Sequence, residues 1–196
     1  MARRDSSIMA EMDIRSEILS ATIPVFNKKG IKFTMDDVAK EVGISKKTIY
    51  TVFADKQELV YDMVDYCFDS IKKSEERVMK NAGLTTIEKL QAILGVLPDG
   101  YKDIDFAQLY ILRDKYPRIY SRVEERLESG WDTTIELLRR GMEEGVVRQI
   151  DTAIVKVMFE ATLEQFFRRD VLVKNKISYS DALAQVVDII CNGIKL

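Results

Sequence analysis

Among its 196 residues the chain has no histidine. That removes imidazole acid–base catalysis and most transition-metal sites in one step. No CxxC pair, Walker-type phosphate loop or GxSxG elbow takes their place. Catalysis, a metal and a cofactor are therefore not expected. Cysteine is nearly absent: Cys67 and Cys191 lie far apart in helix-like apolar patterns and read as buried free thiols in a reducing compartment, not as a disulfide. Proline occurs three times, and strand-like alternation bounded by turns is missing, so helix is the one strong signal and the fold class is all-α. No run approaches the ~18 apolar residues of a membrane span. No signal-peptide pattern, repeat or low-complexity tract is found, and the polar start MARRDSS is expected to be mobile. The expected setting is the cytoplasm, without a membrane partner.

The composition is that of a globular protein, 46% hydrophobic and 32% charged, with a net charge of −2. The charge is unevenly placed. Residues 28 to 56 carry seven Lys against four acidic side chains, a balance of +3 that leaves −5 on the remainder. A modestly basic end on an acidic body suits a protein that docks one end on DNA.

The informative stretch lies in that basic segment, TMDDVAKEVGISKKTIYTVFADK, residues 34 to 56. Thr34 and Asp37 form a capping-box pattern with Asp in place of Glu. Val38, Ala39 and Val42 recur at helical spacing. Gly43 stands where a helix ends and the chain turns, because glycine enters the left-handed region without a Cβ penalty. Ile44 plugs that turn, and Ser45 caps a second short helix from Lys46 through Tyr50. The order of parts is a helix-turn-helix. The second helix has a narrow apolar anchor, Ile49 and Phe53. The rest of its surface is Lys46, Lys47, Thr48, Tyr50 and Thr51, side chains suited to phosphates and base edges in a major groove. The plainer reading is an amphipathic helix with a solvated face. Asp55 and Glu58 then open a long helix, with Lys56 in a first turn that already favours an anion. A lysine there is explained by a phosphate or, more plainly, by solvent.

The run from Thr34 to Leu59 resembles the DNA-binding domain of the TetR family of transcriptional repressors, through Thr34, Val38, Ala39, Gly43, Ser45, Thr48, Tyr50, Phe53, Lys56 and Leu59. The preceding ILSATIPVFNKKG is similar to that family's first helix, with Ile18, Leu19, Ala21, Phe26 and Gly30 in register. The likeness covers about the first third of the chain. Lys47 departs from the glycine, and Val52 from the His or Tyr, that many members carry. The resemblance implies DNA contacts from Thr34, Ser45, Lys46, Lys47, Thr48, Tyr50 and Lys56. Lys46 or Lys47 and Thr48 would read bases, and Thr34, Tyr50 and Lys56 would hold phosphate.

Periodicity lays out the remainder. A first helix is predicted from about Met9 to Lys29, with Pro24 bending or loosening one turn. The helix from Lys56 to about Asn81 keeps its period beyond the DNA-binding unit and reads as a connector. Further helices are predicted over 85–97, 103–115, 117–144, 151–173 and 179–194, with a turn at Pro98-Asp99-Gly100. The domains are then 1–55, helix-turn-helix, and 56–196, a larger helical ligand-binding and dimerisation domain with 56–81 as connector. In the resembled family that larger domain hosts a small molecule. Phe68, Tyr101, Phe106, Tyr110, Trp131, Phe159 and Phe166 either line such a pocket or fill core. Glu160 and Glu164 share a helical face and either meet a cationic ligand in a cavity or face water. Ile154, Met158, Leu183, Val187, Ile190 and Ile194 lie on a C-terminal helix pair resembling the family's four-helix dimer bundle. The bland alternative packs both helices inside one subunit. Residues 145–151, GVVRQID, resemble the family's join into this pair.

The function this implies is a dimeric repressor, released from a double-stranded DNA operator when a small molecule binds. As a bacterial regulator it would be nucleoid-associated. The alternative is a helical small-molecule carrier or protein-interaction module whose helix-turn-helix has lost operator binding.

Overall fold

The computed structural model describes residues 2–97 and 110–196, apart from the side chains of 2–12, 110, 111 and 114. Every regular element described is helical: α1 (Ala2–Lys29), a 3₁₀ turn (Gly30–Lys32), α2 (Met35–Val42), α3 (Lys46–Val52), α4 (Lys56–Lys80), α5 (Thr86–Leu94), α6 (Tyr110–Lys115), α7 (Pro117–Glu128), α8 (Asp132–Glu143), α9 (Thr152–Arg168), α10 (Val171–Asn175) and α11 (Tyr179–Ile194). None of the described helices is long and apolar enough to cross a membrane. The predicted turn at Pro98-Asp99-Gly100 and the start of the helix predicted from residue 103 lie outside the described residues.

The caps read from sequence are in place. The Thr34 N–H donates to Asp37 Oδ2 at 2.9 Å and the Asp37 N–H to Thr34 Oγ1 at 3.2 Å, closing the capping box. Gly43, at φ 80°, ends α2 in the left-handed region, and Ser45 Oγ accepts from the Thr48 N–H at 3.0 Å. The Lys29 ammonium, 2.7 Å from Asp37, joins Thr34 in holding the Asp37 carboxyl down at about 2. A carboxyl whose folded value lies below its unfolded one, ~3.9, stabilises above that unfolded value and stops doing so as pH falls through the folded one. Asp37→Asn is therefore expected to lower stability at pH 7, and its gap from the parent chain should shrink between about pH 4 and 2. Urea titrations across that range test this; a gap that stays constant counts against the cap.

Four boundaries differ from the periodicity reading. α1 begins at Ala2, ahead of Met9, with Pro24 inside it as read, and α5 ends at Leu94, short of 97. The predicted helix 117–144 is two helices, α7 and α8, separated at Ser129 and Gly130, where Gly130 takes φ 77°. The predicted helix 151–173 ends at Arg168, followed by the short α10. The C-terminus is stitched to the α8–α9 join: the Arg148 N–H donates to the Ile194 carbonyl at 2.9 Å, and the Leu196 N–H to that of Val146 at 3.3 Å.

One apolar core runs the length of the molecule. At the N-terminal end α1, α2 and α3 close around Ile18, Phe26, Phe33, Val38, Ile49 and Phe53, and the first turns of α4 add Leu59, Val60 and Met63. Further along, α4 packs against α7 and α5, and α5 against α8 and α11. α4 thus packs against α1 at one end and against α5 and α7 further along.

Candidate functional site

α3 is a seven-residue helix bound to the protein on one side. Ile49 and Phe53 are completely buried. Arg15 of α1 donates to the Val52 carbonyl at 3.2 Å, lies 4.6 Å from the Phe53 ring centroid, and is ion-paired with Asp62 of α4. Burial works against ionisation of Asp62 and raises its pKa, with Arg15 opposing. The sequence reading passed over Arg15, for nothing local marks a lysine-or-arginine position on α1 as the clasp of α3.

The opposite side of α3 faces outward. Lys46, Lys47 and Thr51 are exposed and Tyr50 is 46% exposed. Lys46 pairs with Asp36 at 2.9 Å, a contact that raises its pKa. Both groups are solvated, so the pair is a weak competitor for a phosphate or base. The hydroxyls of Ser45 and Thr48 lie 2.8 Å apart at the start of the helix. Ser45 is thus occupied as a cap and Thr48 is half-buried beside it. Thr34 is exposed at the start of α2. Lys56 is turned inward. Its ammonium donates to the Ile31 carbonyl and sits 4.4 Å from the Phe33 ring centroid, and burial lowers its pKa.

A second feature is a cavity of about 140 Å³ between α4, α5, α7, α8, α9 and α11. Three of the aromatics proposed from sequence line it: Phe68, Trp131 and Phe159. Trp131 and Phe159 meet edge to face at 5.7 Å. Phe166 is off the wall, packed edge-on against Tyr179 at 6.3 Å, and its neighbour Phe167 takes the inward position. Tyr101, Phe106 and the Tyr110 side chain lie outside the described residues. Glu160 and Glu164 do not reach the cavity: Lys156 stands 3.5 Å from Glu160 and Arg168 3.6 Å from Glu164. Burial raises the Glu160 pKa.

Sequence reasoning missed the polar groups of this wall. Lys72 donates to both oxygens of the buried Glu75, at 2.9 and 2.7 Å, and to the Gly130 carbonyl. Gly130 is needed for its positive φ, 77°; a Cβ there would meet only the flexible end of Lys72. Arg126 pairs with Asp69 at 2.6 Å and lies 5.4 Å from the Phe68 ring centroid, tying the wall to α4. The Ser129-Gly130 dipeptide and the i, i+3 spacing of Lys72 and Glu75 were the available signals.

The predicted dimer residues divide. Ile154 and Met158 on α9 are 54% and 57% exposed. Leu183, Val187 and Ile194 are buried in their own subunit and are corrected to core, and Ile190 is half-buried. The outward stripe consists of Ile154, Val157, Met158 and Ala161 on α9 with Val186, Ile189 and Ile190 on α11. Both rows keep steps of three and four, one helical face each. Ile154, Val157, Met158 and Ile189 stand in solvent, and Val186 and Ile190 are half-buried beside them.

Comparison with known proteins adds four relationships. Residues 18–63 match the model of bacterial regulatory proteins of the tetR family. The chain is 25% identical over 177 residues to the HTH-type transcriptional regulator YvaF of Bacillus subtilis, covering 90% of this chain and 93% of that one. It is also 25% identical over 142 residues to the HTH-type transcriptional repressor KstR2 of Mycobacterium tuberculosis, covering 68% and 69%. Among solved structures it is similar to the transcriptional regulator FadR of Bacillus subtilis in complex with stearoyl-CoA, with a TM-score of 0.58 at 20% identity over 91% of this chain and 98% of that one. That likeness is one of fold.

Proposed function

Since this chain belongs to the TetR family of bacterial transcriptional regulators, we propose that it is a homodimeric repressor that leaves its operator when a small molecule enters the cavity beside α4. The observation that carries the reading is the two-sided character of α3. Its apolar side is completely buried and clasped by Arg15, while Lys46, Lys47 and Tyr50 stand in solvent. A helix held in that way presents a rigid set of donors to a groove. Repression is supported by the similarity to KstR2, which is named a repressor.

Lys47 and Thr48 are the base readers of this reading, with Lys46 joining them once it leaves Asp36. Thr34 and Tyr50, both exposed, are its phosphate contacts. Lys56 holds phosphate by a shared arrangement. Its ammonium has three donors, of which one is given to Ile31, so the remainder can meet an oxygen while the carbonyl fixes the amine. The apolar rows of α9 and α11 pair with their copies across a two-fold axis, setting the recognition helices about 34–36 Å apart, one turn of DNA. An effector against α4 favours a conformation in which that spacing is lost.

Fluorescence anisotropy with duplex from the gene's own upstream region tests the whole. Tight binding that falls steeply with salt is expected. Equal affinity for random duplex of the same length would return the chain to the carrier or interaction-module reading. Lys56→Ala should weaken binding uniformly across sequences and reduce the salt slope by about one per subunit. An unchanged slope removes Lys56 from the phosphate contacts.

A further inference from the structure

The cavity beside α4 is apolar over most of its wall, with Phe68, Ile71, Leu94, Leu127, Trp131 and Leu163 among its contributors. Its charged groups are already neutralised. The three N–H bonds of the Lys72 ammonium go to both oxygens of Glu75 and to the Gly130 carbonyl, so none is left for a ligand. Arg126 is held by Asp69, at 2.6 Å, and by Asp65, at 3.5 Å, with Phe68 beneath its plane. Among the described residues no uncompensated charge therefore faces the space. A charged ligand group entering it would shed its water without an ion to receive it, or would have to break a pair and strand its other member. Both are costly against an apolar wall. Size restricts the occupant as well. A volume of about 140 Å³ is below the range of drug-sized sites and is comparable to an engineered apolar cavity that holds benzene.

Resting on the proposed effector role of this cavity, we infer that its ligand is a compact, electrically neutral, largely apolar molecule of about one ring, and not an acyl thioester such as the stearoyl-CoA held by the FadR structure. The occupant lies directly on the connector. Cys67, Phe68, Ile71, Lys72 and Glu75 of α4 all contribute to the wall. A ring wedged there presses on Phe68 and, through it, on the Arg126 pairs that join α4 to α7.

Toluene, benzoate and benzylamine share one ring and differ in charge, so calorimetric titration and thermal melting of the full chain with each, and with stearoyl-CoA, test the assignment. Toluene is expected to saturate, to raise the melting midpoint, and to bind at least tenfold more tightly than either ion. Leu163→Phe, which fills the cavity, should abolish the toluene effect. Ile71→Phe fills the same space from a half-buried position if the first variant does not fold. Benzoate, benzylamine or stearoyl-CoA binding as tightly as toluene overturns the inference. So does toluene failing to bind, or binding equally well to a folded, filled variant. Operator anisotropy run alongside keeps the two readings apart. Toluene that binds but leaves DNA bound upholds the ligand class and removes the release step. Intact operator binding with no toluene binding removes the ligand class alone.

Discussion

Replacing Val157 and Ile189 together by Asp should turn dimers into monomers and cost the protein a factor of about 10² to 10⁴ in operator affinity. Both side chains lie in solvent in the isolated subunit, at 58% and 70% exposure. The subunit therefore loses no core contact, and its own folding should change by no more than about 0.5 kcal/mol per site. In the proposed dimer the same side chains are covered by their copies, and four carboxylates would have to enter an apolar seam unpaired. The affinity loss follows from multivalency. With one recognition helix bound, the second faces its half-site at the high effective concentration that tethering provides, and a monomer has no second helix. Sedimentation velocity reports the mass and anisotropy the affinity. The comparison variant is Leu183→Asp, on the buried row of the same α11, which should unfold the subunit and not merely separate it. A double variant that remains dimeric with full operator affinity would place the interface elsewhere.

How much of this was legible follows from where each signal resides. Caps are local, and the box at Thr34 and Asp37, the left-handed Gly43 and the Ser45 cap all appear as the sequence implies. The length of α4 was legible because its apolar period persists through more than one packing partner. What failed were decisions between two partners of the same chemistry. α11 carries apolar residues on two rows, Leu183, Val187, Cys191 and Ile194 on one and Val186, Ile189 and Ile190 on the other. Spacing groups the residues of a row but does not say which row meets α5 and which meets solvent, so Leu183 and Val187 were assigned to the wrong side. The same holds at Phe166 and Phe167, adjacent aromatics of which only the second reaches the cavity. At Lys56 the missing information was long-range. Its inward turn depends on Ile31 and Phe33, some 25 positions away, and no pattern around Lys56 encodes a carbonyl at that distance. The α7–α8 break was different, because Ser129-Gly130 did announce it and the apolar period on either side overrode the signal.

Phe53→Ala should be the most damaging single change at the DNA-facing end, lowering stability by about 3–5 kcal/mol. The ring is completely buried and its removal leaves a void among Ile49, Leu59 and the helices around them. It also takes away the surface on which the Arg15 guanidinium rests at 4.6 Å. Against a total of about 5–15 kcal/mol for a domain of ordinary stability, the loss is large enough to populate unfolded chain. It falls hardest on α3, because a helix of seven residues cannot persist on its own backbone bonds and is present only while Ile49 and Phe53 anchor it. Tyr50→Ala separates holding the helix from using it. Tyr50 lies on the same helix but is 46% exposed, so its removal should leave the urea midpoint within about 0.5 kcal/mol of the parent while weakening DNA binding. Phe53→Ala should move both, and operator affinity should recover at low temperature or in a stabilising osmolyte to the extent that folded protein recovers. If Phe53→Ala costs less than about 1 kcal/mol, the anchor is not what holds the recognition helix, and the rigid presentation of Lys46, Lys47 and Tyr50 needs another cause. If Tyr50→Ala leaves DNA affinity untouched, the outward side of α3 is a solvated face and nothing more.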